Sequence, residues 1–205
     1  VHPRDAGARC PLETVARRPW PEYARRSTKL AQAVAIAFFS HAGSFNAPAS
    51  RGFFRRELAV NVFVSAVPKN LEELRAIVGL AISHRGPRCD LNDNDLSHVH
   101  TLDTLFQYSP FDGDISQWDV SHVTNFNKMF QCSEFNGDIS RWNMSNARDM
   151  TGMFYSSKFN GDISRWNTSR VQNMAAMFRK SEFNGDISKW DVSNVETMNH
   201  TFELC

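Results

Sequence analysis

Trp118, Trp142, Trp166 and Trp190 stand 24 residues apart, and so do Phe111, Phe135, Phe159 and Phe183. Around them the wording barely changes: EFNGDISRWN at 134–143, KFNGDISRWN at 158–167 and EFNGDISKWD at 182–191. A fixed period of this length means a row of like units, none of which can bury its own apolar face without a neighbour. A degenerate copy, LNDNDLSHVHTLDTLF, begins at Leu91 with Asn94 where the next copy has Trp118, and the copy ending in TFELC is cut short. Residues 91–205 therefore read as five 24-residue repeats with the last truncated, and the chain as a fragment.

Within one copy, Ile115, Trp118, Val120 and Val123 follow the LxxLxLxx spacing of leucine-rich repeats. A short strand fits Trp118 to Val120, with Trp and Val inward and Gln117, Asp119 and Ser121 on an open face. Val123, Phe126 and Phe130, with Met129 beside them, recur at near-helical spacing, which predicts a helical turn or 3₁₀ return limb. The Asn-Gly of FNGD predicts a tight turn with positive φ, and Asn136, Asn160 and Asn184 are expected to form an amide ladder between copies roughly 4.8 Å apart. The expected fold is an α/β repeat solenoid, a leucine-rich-repeat-like stack of short parallel strands with short helical return limbs, capped by an N-terminal helix.

That helix is expected in 61–90, where PKNLEELRAIVGLAISHRGP offers Asn70 as N-cap, Glu72 and Glu73 in the first turn, and Gly86 and Pro87 as the stop. Its apolar residues Leu71, Leu74, Ile77, Val78, Ala81 and Ile82 are at helical spacing, suited to covering the open edge of the first copy. Residues 1–60 are Arg-rich, broken by prolines and show no core. Arg25, Arg26 and Lys29 precede the apolar run Leu30 to Phe39, which is too short to span a bilayer. A secretory signal, an Arg-rich transit sequence and a buried helix all fit that layout. Net charge splits accordingly: residues 1–90 hold 14 Lys and Arg against 7 Asp and Glu, and residues 91–205 hold 9 against 15.

The motifs FNGDISRWN…MTGMF and FNGDISKWDVSNVETM, with the lead-in PKNLEELRAIV…CDLNDNDLSHV, resemble the BspA-like leucine-rich repeat family of surface proteins, a repeat also frequent in mycoplasma lipoproteins and in algal and protist proteins. The resemblance covers about residues 70–205. It implies a solenoid of short parallel strands, often at cell surfaces and engaged in adhesion or protein interaction, and it implies no catalytic activity. Asn94 departs from the pattern as a terminal repeat does, and no lipoprotein cysteine or C-terminal anchor is visible in the sequence.

For function, the candidate binding surface is the open face: Gln117, Arg141, Arg165 and Lys189 in one column, Asp119, Asn143, Asn167 and Asp191 in the next. Like charges stacked between copies repel, so the basic column is either solvated, paired diagonally with acids, or neutralised by an acidic partner. A protein or glycan partner fits this surface. Nucleic acid fits poorly, because the repeat region is net acidic and its aromatics sit at inward positions. Asn143, Asn167 and Asn199 begin N-x-S/T sequons; glycans at the first two would cover the open face. Cys10, Cys89, Cys132 and Cys205 form no CxxC pair, which argues against a zinc site or a disulfide framework. His98 and His122 occupy equivalent places, but the following copies carry Asn146 and Arg170 there. One carboxylate per NGD falls short of what calcium requires. No nucleophile stands beside a base in a unique segment, so no catalytic residue, metal or cofactor is expected. The expected role is a non-catalytic interaction module, secreted or at a cell surface in preference to an organelle or the cytoplasm; the rival reading is a structural spacer that binds nothing.

Overall fold

The computed structural model describes residues 67–205, so the expectations for residues 1–60 lie outside the described residues. The first element among the described residues is helix α1, Leu71–Arg85. Asn70 caps it as its composition requires: the side-chain oxygen accepts the Glu73 N–H at 3.0 Å, satisfying one of the orphan donors of the first turn. Gly86, at φ 85°, ends it and returns its N–H to the Ile82 carbonyl. Leu74, Val78 and Ala81 bury their side chains in the same apolar cluster as Leu91, Leu96 and Leu102 of the first copy.

The stack of short parallel strands does not form. Among the described residues α1 is the one helix, no strand is present, and the only sheet-like pairing is a set of isolated parallel bridges, such as Thr101 with Asn125 and Asn125 with Asp149. Each copy is instead a succession of tight turns. In the second, Trp118 donates to the Ile115 carbonyl, Val123 to Val120, Met129 to Phe126, Gln131 to Lys128 and Ser133 to Phe130. The expected helical return limb is likewise a run of turns, with left-handed backbone at Lys128 (φ 52°) and Cys132 (φ 52°) and at their equivalents from Thr104 to Leu204.

The reason lies in the polar residues between the apolar ones. Asp114, Asp119 and Asn125 each accept, on Oδ1, the backbone N–H two residues on, at 2.9, 2.9 and 2.8 Å. Such local bonds compete with an extended ladder and turn the chain about every fifth residue. Trp118 and Val120 are buried and Gln117 and Asp119 exposed, as a strand would place them, but the alternation arises across two successive turns.

The copies nevertheless hold one another in register. Phe126, Lys128, Phe130 and Cys132 donate their N–H groups to the carbonyls of Asp149, Thr151, Met153 and Tyr155, at 2.8 to 2.9 Å. The same four bonds recur at each junction from 102–108 onward, and others run back, as from the Asp149 N–H to the Thr124 carbonyl at 3.2 Å. Inside, each tryptophan indole donates to a carbonyl of the preceding copy: Trp118 to Leu91, Trp142 to Ile115, Trp166 to Ile139 and Trp190 to Ile163, at 2.8 to 3.1 Å. The indole N–H is thus buried without a penalty.

Inside, the aromatic side chains stack in columns. The Phe106, Phe130, Phe154 and Phe178 rings follow one another at 5.5, 5.6 and 5.7 Å. The Phe111 column is spaced at 6.0 to 6.3 Å, and the tryptophan pairs at 6.3 to 6.4 Å.

The FNGD glycines serve a purpose other than the expected one. Positive φ among glycines is confined, in the described residues, to Gly86 and Gly152. A Cβ at Gly137 would lie 2.8 Å from the Phe135 ring and 3.0 Å from the Gly113 carbonyl oxygen, and one at Gly113 would lie 2.0 Å from the Cys89 oxygen. Glycine is required there because a ring folds over the backbone and the preceding copy presses against it.

Candidate functional site: two exposed columns

The turns position both expected columns. Gln117, Arg141, Arg165 and Lys189 each precede a buried or half-buried tryptophan, and Asp119, Asn143, Asn167 and Asp191 each follow one; all eight are exposed. They flank the tryptophan column on the exposed, outer side of each copy.

The two columns differ in what their side chains already do. Asp119, Asn143, Asn167 and Asp191 are occupied, each accepting the N–H of Ser121, Ser145, Ser169 or Ser193 at 2.9 to 3.1 Å. The task needs one acceptor oxygen, which is why Asp and Asn exchange freely at this place. The Ser121 hydroxyl and N–H hold the Asp119 carboxyl below the usual carboxylate range, and Ser193 does the same for Asp191. By contrast Arg141, Arg165 and Lys189 enter no ion pair among the described residues, so the expected diagonal pairing is absent. A third column stands beside them, the Asp114, Asp138, Asp162 and Asp186 carboxylates weighed above for calcium: each is capped by the N–H and hydroxyl of the serine two residues on. Their carboxyls are pulled down chiefly by those bonds, with Arg141, Arg165 and Lys189 lowering Asp138, Asp162 and Asp186 further. The outer side thus carries a row of carboxylates next to a row of cations.

The asparagine ladder exists in a different form. Asn160 Oδ1 accepts the backbone N–H of Asn184, Asn136 Oδ1 that of Asn160, and Asp112 Oδ1 that of Asn136, at 2.8 to 3.0 Å, so side chains bond backbone and not one another. Among the sequons, Asn143 and Asn167 are exposed on the outer side. Asn199 is exposed too, but its partner Thr201 is buried, with its hydroxyl given to the Met174 and Met198 carbonyls.

The histidines pack without gathering into a site. His122 Nε2 lies 2.8 Å from the Leu96 carbonyl oxygen, its ring meets His100 edge-on at 5.5 Å, and His98 is exposed. Among the described residues no three His, Cys, Asp or Glu side chains converge as metal ligands, and no helix is long and apolar enough to cross a membrane. Cys89 and Cys205 are free thiols, and burial pushes the Cys89 thiol up.

A family model described as "Mycoplasma protein of unknown function, DUF285" matches residues 83–180 and again 155–205, together more than half of the chain. No curated protein and no solved structure matches it.

Proposed function

The chain belongs to the DUF285 family, the family of BspA-like repeat proteins, and from that premise we propose that it is a non-catalytic interaction module whose outer side engages an acidic protein or an acidic glycan, in the manner of a surface or adhesion protein. One observation carries the reading: Arg141, Arg165 and Lys189 repeat on successive rungs, exposed and without an ion pair, while the polar groups in the flanking columns are engaged in turns. Stacked like charges repel one another, and a partner bearing acidic groups at a comparable repeat relieves the repulsion. Asn143 and Asn167 stand beside this column, so a glycan on either would shield it and move recognition elsewhere on the rung.

The test uses a sulfated polysaccharide and a polyglutamate peptide as immobilised probes, with an uncharged polysaccharide as control. The parent chain is expected to bind an acidic probe with an affinity that falls as salt rises, and the variant Arg141→Glu/Arg165→Glu/Lys189→Glu to lose that binding while keeping its thermal midpoint and circular dichroism. A parent that ignores both acidic probes, or a variant that binds as well as the parent, overturns the reading in favour of a spacer with no ligand.

A further inference from the structure

The residue after each tryptophan, or after Asn94 in the first copy, closes the same turn throughout the row. Asp95, Asp119, Asn143, Asn167 and Asp191 each accept on Oδ1 the N–H of the serine two residues on, at 2.8 to 3.1 Å. That turn consumes one side-chain oxygen and nothing else. In Asn143 and Asn167 the amide nitrogen is therefore surplus to the fold: neither Nδ2 has a partner among the described residues, and both residues are exposed. Met144 and Thr168, the residues between amide and serine, are buried at 1% exposure each, which leaves the asparagine and the serine together on the outward side of the turn. In the fourth copy the Ser169 hydroxyl donates to Asn167 Oδ1 at 2.7 Å. Asn199 is built differently. Thr201 is 4% exposed, its N–H goes to the Met198 carbonyl, and its hydroxyl goes to the Met174 and Met198 carbonyls, so no turn joins it to the Asn199 side chain.

We propose that Asn143 and Asn167 of the folded chain are acceptor sites for an N-linked glycan and that Asn199 is not. The donor is an oligosaccharide carried on a polyprenyl diphosphate. A bond forms between Asn Nδ2 and the anomeric carbon of the first sugar, and the bond from that carbon to the diphosphate oxygen breaks. The lipid diphosphate leaves with the electron pair, and Nδ2 gives one proton to a base of the transferase. Such an enzyme reads the amide and the hydroxyl two residues on as one motif. The turn holds the two side by side before the enzyme arrives, which lowers the ordering cost of binding. Substitution on Nδ2 leaves the cap intact, because the cap uses Oδ1 alone, as Asp95, Asp119 and Asp191 show in their own copies. At Asn199 the hydroxyl is committed to the core and withdrawn from recognition. The inference stands apart from any ligand of the basic column, since attachment is read by mass and not by binding of an acidic probe.

The folded 205-residue chain is incubated with a single-subunit oligosaccharyltransferase and its lipid-linked oligosaccharide, and the sites are read by peptide mass. Glycan is expected at Asn143 and Asn167, with Asn199 bare, and none on the variant Asn143→Gln/Asn167→Gln. Short peptides spanning each of the three sequons, which carry no fold, are all expected to be modified. Asp119→Asn and Asp191→Asn keep the capping oxygen and are each followed by Val-Ser, so each is expected to add a glycan at its own position. A folded chain that stays unmodified while the peptides react overturns the proposal. So does a folded chain that takes as much glycan at Asn199 as at Asn143, because the turn would then select nothing.

Discussion

At the scale of single residues, the aromatic columns were legible, and so was the turn-capping role of Asp138 and Asp162; the reason for the glycines was not. Period and type alone placed Trp142 and Phe135 inside, and they are buried, at 3% and 0% exposure. Nothing in the sequence said that the Trp142 indole would bridge to Ile115 of the copy before. Trp142→Ala is therefore expected to cost about 3–5 kcal/mol in chemical denaturation, the range for an interior aromatic deletion. Trp142→Phe separates the bond from the packing: a loss of about 1 kcal/mol or more attaches to the orphaned carbonyl and the altered volume. FNGD misled because Asn-Gly is the common signature of left-handed turns, whereas here the glycine answers to a ring and a neighbouring carbonyl. The left-handed positions themselves carry Thr104, Lys128, Ala176 and His200, residue types that announce no such backbone.

The capping aspartates carry a pH dependence. Asp95, Asp114, Asp119, Asp138, Asp162, Asp186 and Asp191 are all held below the ordinary carboxylate value, chiefly by the backbone N–H and hydroxyl of the serine two residues on. A folded value below the unfolded one adds stability that is fully present above the unfolded value and is lost as pH falls through the folded one. Stability is thus expected to be flat near neutrality and to fall on the acid side of the ordinary carboxylate range. Asp138→Asn keeps the acceptor, as Asn143 and Asn167 do in their own turns, and removes the titration. Its thermal midpoint should match the parent near neutral pH and decline less in acid; an identical acid decline would mean that the cap at Asp138 contributes nothing to it.

At the scale of elements, α1 was readable to its caps, because N-cap, acidic first turn, apolar stripe and terminal glycine all pointed the same way. The repeat limbs were not, because alternation between two turns imitates alternation along a strand, and three- and four-residue apolar spacing imitates a helix. What periodicity could not convey is how Asx residues at turn entrances consume the backbone N–H groups a strand would need. The helix also has a role that amphipathicity did not suggest: Arg75 donates to the Asp103 carbonyl and to Thr104 Oγ1 of the first copy. Arg75→Met keeps most of the packing and removes these bonds together with the Glu72 ion pair, and it is expected to lower stability by about 1.5–3 kcal/mol, the range for a hydrogen bond to a charged group. A variant as stable as the parent would show that α1 acts through its apolar face alone.

At the scale of the whole molecule, the copies form a row held by lateral backbone bonds and by stacked rings inside. The basic and acidic columns flank the tryptophans and are exposed. The sequence announced the repeat and its aromatic columns; the turns and the lateral bonds between copies come from geometry that composition does not encode. The lateral ladder is the claim on which the register depends, and amide hydrogen exchange of the 205-residue chain reads it residue by residue. Met174, Ala176, Phe178 and Lys180 should exchange slowly, as bonded amides inside the row, and Met198, His200, Phe202 and Leu204 roughly tenfold faster or more. Equal exchange at the two sets of positions would contradict the account.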